Sequence, residues 1–222
     1  MKNLLMRVFL FLSLTAVAFT QNQGFQKFDA KALFQPGMST MQAARTACTK
    51  SVGPEYGACF VDQMKAAGAS SEAVAFMHAI QNNGFMRDFT KAGKVDVAFA
   101  FFPFAANENE HCLLVNGTPN IIDVDDYSVI PRGDFPKNKE YEALRAKYPN
   151  ITVFPGDRAG TKFIVAKNPP GGGQSFLVPY VLVDGCHACA RVGKLELAFE
   201  FDGEGKFRGA KVTSVTSLSP PK

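Results

Sequence analysis

Leu195-Glu196-Leu197-Ala198-Phe199-Glu200-Phe201 is the stretch whose reading decides the fold. Its large apolar residues recur at every second position, with Glu196, Ala198 and Glu200 between them. A period of two places Leu195, Leu197, Phe199 and Phe201 on one face and the acids on the other, the signature of a half-buried antiparallel strand. Asp202-Gly203-Glu204-Gly205 then turns the chain, and Phe207 to Val215 returns as a last strand. Just upstream, Phe176 to Val183 is apolar at both parities, as expected of a central strand. The C-terminal part of the chain is therefore a sheet.

Further toward the N-terminus the strand signals continue. Lys162 to Ala166 and Ile151 to Phe154 read as short strands, Pro169 to Gly173 as a loop, and Tyr141 to Tyr148 as a helix stopped by Pro149. Val95, Val97, Phe99 and Phe101 alternate in a strand that runs to Phe104. Ala105 to Glu110 is a polar turn, and Cys112 to Val115 is a second strand. Asn116-Gly117 is a hairpin signal, because both central positions of such a turn favour positive φ. Ile121, Ile122 and Val124 make the third strand.

Before residue 95 the period is helical. Met38 to Lys50, Tyr56 to Ala67 and Ser70 to Asn82 read as helices separated by Gly53-Pro54 and Gly68. Ser70 has the character of an N-cap, and Ala73, Phe76, Met77 and Ile80 form an apolar stripe. Gly84 ends this helix, and a further short helix is expected from Phe85 to Lys91. Helices followed by strands imply an α+β fold, with an N-terminal helical segment (about 38–92) packed on a mainly antiparallel sheet (about 95–216).

The first residues read as an export signal. Lys2 and Arg7 precede an apolar run from Val8 to Phe19, and Ala16-Val17-Ala18 offers small residues to a signal peptidase. Cleavage is expected after Ala18, with Thr20 as the alternative. The run is shorter than the roughly 20 residues that a membrane-spanning helix needs. The expected organisation is thus a signal peptide at 1–18 (1–20 by the alternative), an extended arm at 19–37 and a single α+β domain at 38–222. The expected location is periplasmic or extracellular, with no integral membrane segment after cleavage.

Composition narrows the partners. The full chain carries 24 Lys+Arg against 20 Asp+Glu; loss of Lys2 and Arg7 leaves 22 against 20, a net charge of +2. There is no dense basic run, so nucleic acid is not expected as a partner. The 21 Phe and absent Trp fit a Phe-rich sheet core, since many of the Phe fall at strand spacing.

Five cysteines in an exported chain set the chemistry: Cys48, Cys59, Cys112, Cys186 and Cys189. Pairing is the default in an oxidising compartment, and an odd count leaves one over. A helical hairpin folded at Gly53-Pro54 would bring Cys48 and Cys59 into disulfide reach. Cys186-His187-Ala188-Cys189 has three readings. The first is a structural disulfide within a loop. The second is a redox pair, Cys186 and Cys189 with His187 stabilising a thiolate. In the third, Cys186, His187 and Cys189 join His111 and Cys112 in a zinc or copper(I) site. Only Ala190 to Gly193 separate the motif from the next strand, which leaves little room for the helix N-terminus that activates a thioredoxin-type pair.

Other constellations add little. Asp123, Asp125 and Asp126 lack the glycine-containing spacing of a calcium loop and read as a solvated strand end. Asn116-Gly117-Thr118 and Asn150-Ile151-Thr152 are glycosylation sequons. His78 sits beside an apolar helical stripe and reads as a packed or surface residue. No nucleophile elbow, two-histidine metalloprotease motif or phosphate loop is present, and no catalytic residue emerges. The sequence therefore points to an exported, non-catalytic binding or interaction domain with structural disulfides and no cofactor, acting on an unknown protein or small ligand. The alternative is a thiol-disulfide or metal-handling envelope protein that uses Cys186-His187-Ala188-Cys189.

Overall fold

The decisive stretch forms the middle of a long strand, Arg191–Phe201, in a computed structural model that describes residues 26–51, 53–105, 109–156 and 160–218. The signal segment and both cleavage positions lie outside the described residues. The architecture is α+β, as the order of periods implies. Helices α1 (Met38–Ala47), α2 (Pro54–Ala66) and α3 (Ser71–Ala79) come first, and α4 (Lys139–Lys147) lies between strands.

The strands form two antiparallel sheets. One has the order β1 (Phe85–Thr90), β2 (Asp96–Phe101), β3 (Glu110–Val115) and β4 (Ile121–Asp123). The other has the order β5 (Ile151–Pro155), β7 (Gln174–Asp184), β8 (Arg191–Phe201) and β9 (Phe207–Ser217), with β6 (Val165–Lys167) also paired to β7. The sheet expected over about 95–216 is thus two sheets, and its first strand begins earlier.

That first strand replaces the short helix expected over 85–91. Phe85, Met86 and Phe89 fall at spacings a helix could use, but the segment pairs antiparallel with β2. The register shifts between Met86 and Asp88, which marks a bulge at Arg87. One extra residue resets the two-residue alternation, so the sequence does not display a strand period. The helical segment accordingly ends near Ala79, not near 92.

Two sheets with apolar inner faces pack as a sandwich. Val97, Phe99, Cys112, Leu114 and Ile122 from the first sheet meet Phe176, Val178, Tyr180, Leu182, Leu195, Leu197 and Phe199 from the second. The pairs Phe176↔Phe199, Val178↔Leu197 and Tyr180↔Leu195 set the inner face of the second sheet. Full burial of each such side chain contributes about 1.5–3 kcal/mol. Tyr180 keeps its hydroxyl satisfied inside this core by donating to the Val124 carbonyl at 2.5 Å.

The first sheet is covered on both faces. Its other face, Met86, Ala98, Ala100, Leu113 and Val115, packs under Phe76 and Ile80 of α3 and under Phe28 and Ala32 of the N-terminal arm. A third cluster joins Phe60, Val61 and Met64 of α2 to Met77 and Phe85. The described part of the arm, 26–37, contains one 3-10 turn (Ala30–Ala32) and is seated on the body. Phe28 donates its backbone N–H to Asn116 Oδ1 at 2.7 Å, and Asn116 Nδ2 donates to the Phe28 carbonyl at 2.8 Å. Asn116 adopts a φ of 70°, a left-handed conformation that Asn tolerates better than most residues.

The connection after Asn116 differs from the expected two-residue turn. Val115 pairs with Ile121, so residues 116–120 form the loop, and Gly117 does not take a positive φ. The five-residue loop places each β3 residue opposite a β4 residue three positions later than a two-residue turn would.

Candidate functional site

Cys186-His187-Ala188-Cys189 lies in the turn between β7 and β8. Gly185 opens it at a φ of 98°, a conformation that costs glycine nothing. The Cys189 N–H donates to the Cys186 carbonyl at 2.9 Å, and Asp184 N–H donates to Ala190 O at 3.0 Å. The two cysteines form a disulfide with a Cα–Cα distance of 5.0 Å. Cys186 and His187 are exposed, and the His187 ring sits edge-on to Phe154 of β5, with centroids 5.0 Å apart. No helix begins at Cys186, so the helix-dipole device that activates a thioredoxin-type thiol is absent here. Cys48 and Cys59 form the second disulfide, Cα–Cα 5.8 Å, linking the end of α1 to α2 across Gly53 as the helical hairpin implies.

The five-residue zinc or copper(I) set is not brought together. His111 and Cys112 are consecutive on β3, and consecutive strand residues point to opposite faces. Cys112 faces the sandwich interior, where it is buried with its Sγ 3.9 Å from the Gly160 carbonyl. His111 faces the helical layer side, against Phe102, with ring centroids 4.8 Å apart. Cys186 and Cys189 are engaged with each other in the β7–β8 turn.

The fold instead gathers a different set. His111, Asp123 and Asp125 each present a donor atom within 4.8 Å of the others. The β3–β4 register explains this. Leu113 pairs with Asp123, and the Val124 N–H donates to Cys112 O, so Asp125 comes opposite His111. His111 Nδ1 lies 2.6 Å from Asp123 Oδ2, and the Asp125 N–H donates to Asp123 Oδ1 at 2.9 Å. All three side chains are half-buried. In the sequence His111 and the aspartates belong to separate candidates, twelve and fourteen positions apart, and only the strand register joins them.

A second feature went unsignalled by any motif. The outer face of the second sheet carries an open groove of about 440 Å³. Its floor is two cross-strand rows, Pro179–Glu196–Ser214 and Val181–Lys194–Thr216. Phe163 and Arg191 form its rim. Phe163 is 40% exposed, a state that among the described Phe residues only Phe104 shares. Glu196, also in the floor, accepts from Thr213 Oγ1 at 2.8 Å and sets one carboxylate in the groove. The groove therefore combines an apolar wall with cationic Lys194 and Arg191.

His78 is exposed, with Nδ1 2.7 Å from Asn82 Oδ1. Asn116 is 6% exposed and its amide is occupied by Phe28 and Asp96, so the first sequon offers no accessible acceptor, whereas Asn150 is exposed. Asp88 organises the start of the first sheet: its Oδ2 accepts from Thr161 N at 3.0 Å and Thr161 Oγ1 at 2.9 Å. The Thr161 backbone N–H is the largest of the influences that hold the Asp88 carboxyl below its usual range. Burial opposes it, and the Thr161 hydroxyl, Phe89 N–H and Lys162 charge add to it.

Among the described residues no helix is long and apolar enough to cross a membrane. No known protein family, curated protein or solved structure matches the chain.

Proposed function

We propose that this chain is an exported, non-catalytic binding domain whose binding surface is the groove on the outer face of the second sheet. The groove carries the reading. Its volume falls within the range of about 300–1,000 Å³ typical of small-molecule sites, and it pairs an apolar wall with a few polar groups. Phe163, Pro179 and Val181 suit a flat apolar body, and Lys194 with Arg191 suits an anionic group at one end. Two disulfides support export, because such bonds persist in oxidising compartments, and the signal-like N-terminus supports it from the sequence.

The test uses a probe of that chemistry, the dye anilinonaphthalene sulfonate, with the mature disulfide-bonded protein. Saturable one-to-one binding is expected, with amide shifts concentrated at 179–181, 194–196 and 214–216. Phe163→Ala and Lys194→Glu should each weaken binding by about tenfold, equivalent to about 1.4 kcal/mol. Absence of saturable binding, or shifts centred on the Cys186–Cys189 turn, would overturn the reading and favour the redox alternative in the second case.

A further inference from the structure

We propose that His111, Asp123 and Asp125 form a binding site for a divalent first-row cation of the zinc type. The proposal is independent of the groove on the opposite sheet. One imidazole nitrogen and two carboxylate oxygens are a donor set that zinc accepts readily, at about 2.0–2.1 Å for nitrogen and 2.0–2.2 Å for oxygen. Calcium and magnesium favour all-oxygen sets, and copper(I) favours sulfur, so the imidazole points to zinc and its neighbours.

The site is built by the hairpin. His111 stands on β3, Asp125 comes opposite it by the β3–β4 register, and Asp123 occupies the adjacent same-face position. Three residues of a rigid ladder end thus converge, with donor atoms within 4.8 Å of one another. Donors around a single zinc ion lie about 3.0–3.5 Å apart at ordinary angles, given bond lengths of about 2.1 Å. His111 Nδ1 and Asp123 Oδ2, now 2.6 Å apart, would open by about 0.4–0.9 Å, and the Asp125 donor atom, within 4.8 Å of both, would close to the same spacing.

The surroundings suit an ion. The Phe102 ring packs against the imidazole at a tilt of 57° and supports it from one side. The Asp125 N–H bond to Asp123 Oδ1 fixes the second carboxylate, leaving Oδ2 turned toward His111. In the metal-free state the imidazole N–H and Asp123 satisfy each other. On binding, the proton on the coordinating nitrogen leaves to solvent or moves to the other ring nitrogen, and the ion takes its place. Three protein donors leave at least one coordination position for water or for an external ligand.

The experiment uses untagged, mature, disulfide-bonded protein, treated with a chelator and dialysed. Zinc chloride is titrated calorimetrically at neutral pH, and cobalt(II) serves as a spectroscopic probe of the same site. One equivalent should bind, with cobalt(II) giving visible d–d bands. His111→Ala and Asp125→Asn should each lower zinc affinity at least tenfold, while Asp126→Asn and His187→Ala leave it unchanged. Since His111→Ala could disturb the hairpin, manganese(II) broadening of amide signals in the unaltered protein gives a second reading. Broadening should centre on 111–113 and 123–125. Failure to bind one equivalent, binding indifferent to both His111→Ala and Asp125→Asn, or broadening centred on 186–189 would each overturn the site.

Discussion

Phe199 and Glu200 are neighbours in sequence and opposites in environment. Phe199 is fully buried between the sheets, and Glu200 points outward to Lys211, 2.5 Å from Oε1 to Nζ. Phe199→Ala should therefore cost about 3–5 kcal/mol. Glu200→Ala should cost no more than about 1 kcal/mol, because an exposed ion pair contributes little. Urea denaturation of the two variants checks this, and equal losses would mean that the faces are reversed. The Cys186–Cys189 pair, with Cys186 exposed and Cys189 half-buried, lends itself to a different measurement. Held in a strand-to-strand turn with no helix to lower a thiol pKa, it should equilibrate with glutathione at a potential below about −300 mV, as structural bonds do. A markedly more oxidising potential that weakens in His187→Ala would make it a working pair. These residues were legible in the sequence because their environments follow from local period and spacing. The His111–Asp123–Asp125 trio was not, because a loop length decides which residues meet. A two-residue turn at Asn116-Gly117 would set His111 opposite Ile122 and turn Asp123 and Asp125 to the other face; the five-residue loop sets it opposite Asp125.

At the scale of elements, strand β1 shows how tertiary pairing overrides a local pattern. Its bulge erases the alternation that made β8 obvious, and the 3-10 turn at Thr161–Phe163 anchors it through Asp88. The hydrogen bonds from Thr161 favour the ionised carboxylate and lower its pKa in the folded state. The stabilisation is thus present above the unfolded Asp value of about 3.9 and is lost as pH falls through the lower folded value. Asp88→Asn should melt at a lower temperature than the parent at neutral pH, and the gap should narrow as pH falls below about 4. A gap that stays constant to low pH would show that the Asp88 charge has no part in it. The α1–α2 hairpin makes a separate prediction. The Cys48–Cys59 bond closes a short loop, so its reduction, or Cys48→Ser with Cys59→Ser, should cost about 2–3 kcal/mol. Peptide mapping without reductant should recover the two linked. This pairing was readable because helix, break and helix were all marked in the sequence, whereas the division of the strands into two sheets was not. Periodicity says which face of a strand is apolar, not which sheet that face will meet.

For the molecule as a whole, the layered order puts the first sheet in the middle, covered by helices and arm on one side and by the second sheet on the other. Removing residues up to 37 should expose Phe76, Met86 and Ala98, lower the denaturation midpoint and raise binding of an apolar dye; an unchanged midpoint would mean that the arm only decorates the surface. Asn116→Ala should give a milder version of the same result, since it releases the clasp on Phe28 while leaving the apolar contacts in place. The clasp also has a consequence in time. Phe28 and Asn116 are 88 positions apart, so a chain made from its N-terminus at about 5–20 residues per second leaves Phe28 without its anchor for about 4–18 s. The segment synthesised early is thus left unseated until the chain is past its midpoint. Over that interval its apolar side chains are open to holding chaperones; docking of the arm closes one face of the first sheet to them, and the other face stays open until the strands of 174–201 are made.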